Sequence, residues 1–163
     1  MSRNGKAAAA VLLLVAAWFV YAPAIRGGWI WDDPQEVADN YVLRDPGGLA
    51  KIWLAPSGVD YFPLKTTVQW LAWRLWGADP FGYHLLNVAL HLAAALLFWR
   101  LLRRLNVPSF GAWAGALLLV VHPLAVESVA WISELKNTLS LVLLLLALLA
   151  YVRFDEHEER RAN

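Results

Sequence analysis

The chain has 163 residues, 60% of them hydrophobic, with a mean hydropathy of +0.47 and ten tryptophans, too apolar for an ordinary soluble domain of this size. Its net charge of +1 and pI near 8.1 come without a basic face or arm, so nothing calls for nucleic acid as a partner. The absence of cysteine excludes a disulfide framework, thiolate chemistry and a Cys-ligated metal.

A basic head, Ser2 to Lys6, precedes an almost uncharged run that predicts a first span over 7–25, close to the ~20 residues a helix needs to cross the hydrocarbon. A cleaved signal peptide is the rival reading, because Ala22-Pro23-Ala24 has a small-x-small pattern. The length of the run, with Trp18, Phe19 and Tyr21 near its exit, favours an uncleaved helix.

An outer loop follows over 26–79 and holds seven of the 13 acidic residues. Within it, Asp33-Pro34-Gln35-Glu36 has the form of a helix start, with Asp33 at the cap and Glu36 reaching back to the cap amide, and predicts a short helix through Tyr41. Asp45-Pro46 repeats the signal before Leu49 to Leu54, a segment able to lie flat on the membrane. From Leu64 to Trp76, residues Leu64, Val68, Leu71 and Leu75 form one helical stripe, widened by Trp70, Trp73 and Trp76, while Thr67, Gln69 and Arg74 lie off it. This predicts an interfacial helix.

Asp79-Pro80 begins a second span, 80–102, which ends in Arg100, Arg103 and Arg104. After the turn at Asn106 to Ser109, the apolar sequence predicts a third span over 110–131 and a fourth over 137–153, with a charged, mobile tail over 154–163. The fold class is therefore all-α: one multi-pass transmembrane module of about four spans, with a large first extracytoplasmic loop carrying short interfacial helices. The basic residues flank the spans so as to place both termini in the cytoplasm, and the expected setting is a bacterial cytoplasmic membrane.

Four stretches in order, Trp31-Asp32-Asp33-Pro34, Tyr61-Phe62-Pro63-Leu64, Pro80-Phe81-Gly82-Tyr83-His84-Leu85-Leu86-Asn87 and His122 to Trp131, resemble the N-terminal region of tetratricopeptide-repeat membrane proteins. Those proteins look like members of the C superfamily (GT-C) of integral-membrane glycosyltransferases, related to the protein O-mannosyltransferases. The resemblance covers about Gly28 to Tyr151. It implies a polyprenyl-phosphate sugar as donor substrate, a protein or glycan hydroxyl as acceptor, and a reacting acid in the first outer loop. Such proteins have more spans and often a C-terminal repeat domain, so the chain is expected to be an N-terminal piece of a longer protein.

Sugar transfer to a hydroxyl benefits from a carboxylate that takes the acceptor's proton, with a second charge nearby to tune it. Asp32 and Asp33 supply the pair, with Asp32 as the base and Asp33 as a helix cap or supporting carboxylate. Trp31 is either a stacking surface for the sugar or prenyl chain, or an interfacial anchor, as is Trp29. His84, Asn87 and His91 share one helix face and read either as a cavity wall against the donor head group or as interhelical packing. Pro123 predicts a broken helix that turns His122 toward a cavity.

Glu127 and Glu134 fall on one face two turns apart, and Lys136 is placed to neutralise a phosphate or to pair with a Glu across the outer hairpin. Lys65 and Arg74 are further phosphate candidates. No metal site is expected, since the His84 to His91 spacing lacks a third ligand. The resembling sequences commonly carry an acid where this chain has Asn137, which leaves a divalent cation undecided. The alternatives to a glycosyltransferase module are a non-catalytic membrane anchor or assembly module and a proton-relay module built on His84, His91 and Glu127.

Overall fold

The computed structural model describes residues 2–55 and 61–162, and among them every regular element is helical. Asp60, one of the acids of the outer loop, and Asn163 lie outside the described residues. The helices are α1 (Arg3–Ile25), α2 (Tyr41–Arg44), α3 (Gly48–Leu54), α4 (Pro63–Trp76), α5 (Pro80–Arg104), α6 (Ser109–Val121), α7 (Ala125–Ala130) and α8 (Leu135–Ala162). A wide π-type turn occupies Pro34–Ala38, and a 3-10 turn occupies Ile132–Glu134.

Among the described residues three stretches are long and apolar enough to cross a membrane: Asn4–Ile25, Pro80–Arg104 and Ile132–Glu158. The contacts along them fix their directions. Tyr21 meets His91 and Gly28 meets His84, so α1 and α5 are antiparallel. Thr138 bonds Asn87 and Arg104 bonds Glu156, so α5 and α8 run in parallel. Trp113 Nε1 donates to the Ala9 carbonyl and Tyr21 Oη donates to that of Val120, so α6 follows α1. Small residues make these approaches close: Ala17, Ala95 and Ala116 pack with Leu13 and Val120 in one cluster.

The stretch read as a third span, 110–131, breaks at the proline from which a broken helix was predicted. It is interrupted where His122, at ψ 130, precedes Pro123, because the proline ring disfavours a helical residue before it. The apolar helix before the break is α6, 13 residues long and ~20 Å at 1.5 Å per residue, followed by the separate α7. The tail expected after the fourth span is helical, since α8 continues unbroken to Ala162. No Gly or Pro stops it, and Glu156 is tied to Arg104 at 2.7 Å.

Asp79 caps α5, with Oδ1 accepting the Phe81 amide at 3.0 Å and Pro80 in the first turn. Asp33 does not act in this way. Its side chain makes no cap bond, the chain after it forms the π-type turn, and the next helix starts at Tyr41 under Asn40, whose Oδ1 accepts the Val42 amide. Glu36 turns away from the predicted capping box to pair with Lys65.

The apolar stripe of α4 points outward: Leu64, Leu71 and Leu75 are exposed, whereas Lys65, Gln69 and Ala72 are buried. Trp53 and Leu54 of α3 are exposed as well. A helix whose polar side faces the protein and whose apolar side faces outward has the orientation of an interfacial helix. Arg74 is spent locally. It donates to the carbonyls of Leu43 and Asp45, each at 2.6 Å, and lies 4.2 Å over the Trp70 ring.

Candidate functional site

The loops at one end of the bundle converge on Trp31-Asp32-Asp33. Asp33 is fully buried. Its Oδ1 accepts the main-chain N–H of Ser133 at 2.8 Å and the Ser133 hydroxyl at 2.7 Å, and its Oδ2 accepts the Ile30 amide at 3.1 Å. These three donors hold the carboxylate in a dry position and tie the loop after α1 to the turn before α8. Asp33 therefore supports the loop through Ser133.

Its neighbour faces the opposite situation. Asp32 is exposed, and its Oδ1 accepts the indole N–H of Trp131 at 3.1 Å. The ring of Trp131 also meets Trp31 edge-on, with centroids 4.7 Å apart at 79°. Trp31 adopts φ +50, a left-handed conformation that costs a non-glycine residue about 1–2 kcal/mol, and it is 71% exposed. The strained backbone turns its ring onto Trp131. The product is an exposed carboxylate beside a pair of aromatic rings, with a second carboxylate buried directly behind it.

Asn87, fully buried on α5, supports this arrangement from below. Its Nδ2 donates to the Trp131 carbonyl at 3.0 Å, and its Oδ1 accepts the Thr138 hydroxyl at 3.3 Å. His84 is buried one turn earlier, with Nε2 3.3 Å from the Gly28 carbonyl. That contact places the ring proton on Nε2 and leaves Nδ1 as an acceptor with no donor among the described residues. His84 thus pins the chain where it leaves α1.

The two lysines reach the same end of the bundle already paired. Lys65, buried on α4, bonds Glu36 at 2.7 Å. Lys136 bonds Glu134 at 2.6 Å and sits 5.6 Å over the Phe62 ring, three residues before Lys65. Asn137 also donates to Glu134 and to the Ser128 hydroxyl. An incoming phosphate would compete with these carboxylates for both ammonium groups.

The other expected site residues are not brought to Asp32 by any bond or ring contact. His91 packs edge-on against Tyr21, with centroids 5.6 Å apart, about 10 Å further along α5 than His84. His122 accepts the Leu124 amide on Nδ1 at 3.2 Å, at the break between α6 and α7. Glu127 is exposed on α7. Among the described residues no three His, Asp or Glu side chains gather to hold a metal ion.

Sequence reasoning missed Ser133, Thr138 and the part played by Trp131. Ser133 has no local signal, because its partner is 100 positions away. Trp131 had one, as an aromatic ring at the predicted turn of the second outer loop.

No protein-family profile matches the chain, and no solved structure matches it significantly. Among curated proteins it is similar to Protein O-mannosyl-transferase F38B6.6 of Caenorhabditis elegans, 26% identical over 90% of this chain and 23% of that protein. Protein O-mannosyl-transferase Tmtc3 of Drosophila melanogaster is 29% identical over 93% of this chain and 20% of its own length. Protein O-mannosyl-transferase TMTC1 of Mus musculus is 32% identical over 90% and 17%. The chain thus spans between 17% and 23% of the length of these relatives. All three are animal proteins, which overturns the expected bacterial cytoplasmic membrane and points to a eukaryotic one. The homologues of this chain are protein O-mannosyl-transferases.

Proposed function

We propose that the chain is the part of a membrane glycosyltransferase that carries its reacting acid, and that the whole protein transfers a sugar from a polyprenyl-phosphate donor to a protein hydroxyl. The setting that best suits the animal relatives is the endoplasmic reticulum membrane. One observation carries the reading: Asp33 is buried and clamped by Ser133, while Asp32 beside it is exposed at the Trp31–Trp131 pair. In this reaction the acceptor oxygen forms its bond to the sugar's anomeric carbon, the bond from that carbon to the phosphate oxygen breaks, and Asp32 takes the hydroxyl proton. The aromatic pair gives the sugar or prenyl chain a surface to lie on. Lys65 and Lys136, paired with Glu36 and Glu134, would take the leaving phosphate by exchanging those carboxylates for it.

The test is Asp32→Asn in the full-length protein, assayed with a polyprenyl-phosphate mannose donor and a hydroxyl-bearing peptide. Loss of a general base lowers the rate by about 10²–10⁴-fold with membrane insertion unchanged. Full activity in that variant would falsify the assignment and leave the non-catalytic assembly module, for which the internal pairing of both lysines is the favouring observation.

A further inference from the structure

The opposite end of the bundle carries a second site. There the start of α1, the last turns of α5 and the start of α6 enclose a pocket of about 480 Å³, lined by Lys6, Trp99, Arg100, Arg103, Arg104 and Ser109 with Leu96. Its wall holds four cations and no carboxylate. Two of the four are engaged: Arg104 with Glu156 at 2.7 Å, and Arg103 with the Val107 carbonyl. Lys6 and Arg100 have no hydrogen-bond or ion-pair partner among the described residues. Trp99 in the same wall has a buried indole N–H without an acceptor among the described residues. Ser109 opens α6, whose capping residue Pro108 provides no side-chain acceptor for the first-turn amides.

The pocket does not end at the cations. At Ser109 it meets a groove of about 370 Å³ between α1 and α6, lined by Ala8, Leu12, Phe110 and Trp113. Leu12 in this groove and Val15 about one turn further along α1 are exposed, as the lipid-facing side of a span must be. An open pocket edged by cations that leads into an apolar furrow along a membrane helix has the two parts of a phospholipid, in the order in which a phospholipid presents them. A free phosphate would use only the first part.

We propose that this end of the bundle binds one anionic phospholipid, its phosphate between Lys6, Arg100 and the start of α6 and one acyl chain in the α1–α6 groove. The site lies a full helix length from Asp32, since α1 runs from Lys6 at one end to the Asp32 loop at the other. It is therefore independent of the proposed transfer reaction.

Native mass spectrometry of the full-length protein in detergent, titrated with dioleoyl phosphatidate or dioleoyl phosphatidylcholine, tests it. Phosphatidate is expected to bind at least about 10-fold more tightly; Arg100→Gln weakens it by about 5-fold, and Lys6→Gln with Arg100→Gln by about 20-fold. Arg161→Gln removes an equal charge from the exposed end of α8 and is expected to change affinity by less than about 2-fold. Ala8→Trp fills the groove without touching the charge and is expected to release phosphatidate. Equal binding of the two lipids, equal loss from Arg161→Gln and Arg100→Gln, or displacement of the lipid by equimolar inorganic phosphate would each overturn the proposal.

Discussion

Asp33 and Ser133 are joined twice across 100 positions of sequence, once through the Ser133 main-chain N–H and once through its hydroxyl. The pair closes the loop after α1 onto the turn before α8, and both residues are buried. Asp33→Ala strands three donors, those of Ser133 and the Ile30 amide, at ~1–3 kcal/mol for each buried group left unsatisfied. The expected loss is about 3–5 kcal/mol. Asp33→Asn keeps an acceptor in the same place and is expected to cost about 1–2 kcal/mol. Thermal unfolding of the two variants in detergent separates them, and equal melting temperatures would show that the clamp is not what orders the loops.

Trp31 sets a backbone cost against a ring contact. Its φ of +50 costs ~1–2 kcal/mol that glycine would not pay. The edge contact with Trp131 returns about 0.5–1.5 kcal/mol. Trp31→Gly loses the contact and relieves the strain, so its stability stays near that of the parent chain. Trp31→Ala loses the contact and keeps the strain. The glycine variant is expected to be the more stable of the two by about 1 kcal/mol, measured by denaturant unfolding, and the reverse order would remove strain from the account.

Comparing particular residues shows what the sequence could reveal. Asp79-Pro80 and Asp33-Pro34 look alike, yet only Asp79 caps a helix, because Ser133 arrives from far along the chain to compete for the Asp33 carboxylate. A local pattern cannot report a donor 100 residues away. The apolar stripe of α4 was legible, but the partners of its polar side were not, since Glu36 reaches Lys65 and the carbonyls of Leu43 and Asp45 reach Arg74 from about 30 positions away. Pro123 announced the break after α6, but not that Ala125–Ala130 would resume as a separate short helix. Asp32 stood out in the sequence; that Trp131 would donate to it did not.

Lys65 keeps its ammonium buried against the partly exposed carboxylate of Glu36, 2.7 Å away. Removing only the carboxylate leaves a buried charge without a partner. Breaking a fully buried pair costs ~3–5 kcal/mol and a surface pair ~0–1, so Glu36→Gln is expected to cost about 1–3 kcal/mol. Lys65→Met removes the need for a counter-charge and packs a similar length of chain. The double variant is therefore expected to recover most of the loss, and a double-mutant cycle of unfolding free energies measures it. Additive losses would mean that the two side chains act separately.

Asp45 and Lys51 close the start of α3 with an ion pair of 2.6 Å. The hydrogen-bonded Lys51 ammonium, helped by the Gly47 amide, holds the Asp45 carboxyl below its ordinary value, and Asp45 in turn raises Lys51. For a carboxylate with a lowered folded-state pKa, the stabilisation is present above the ordinary value, about 3.9, and disappears as pH falls through the lowered one. For a raised lysine it is present below the ordinary value, about 10.4, and disappears as pH rises through the raised one. The pair therefore secures α3 between roughly pH 4 and pH 10 and releases it outside that window. Because both groups lie at the surface, the effect is local to α3, Gly48–Leu54. Hydrogen-exchange protection factors for the α3 amides are expected to fall between pH 6 and pH 3 in the parent chain. In Lys51→Met they are expected to be lower already at pH 6 and to change less on acidification, whereas the same acid response in both proteins would assign the pH dependence to another group.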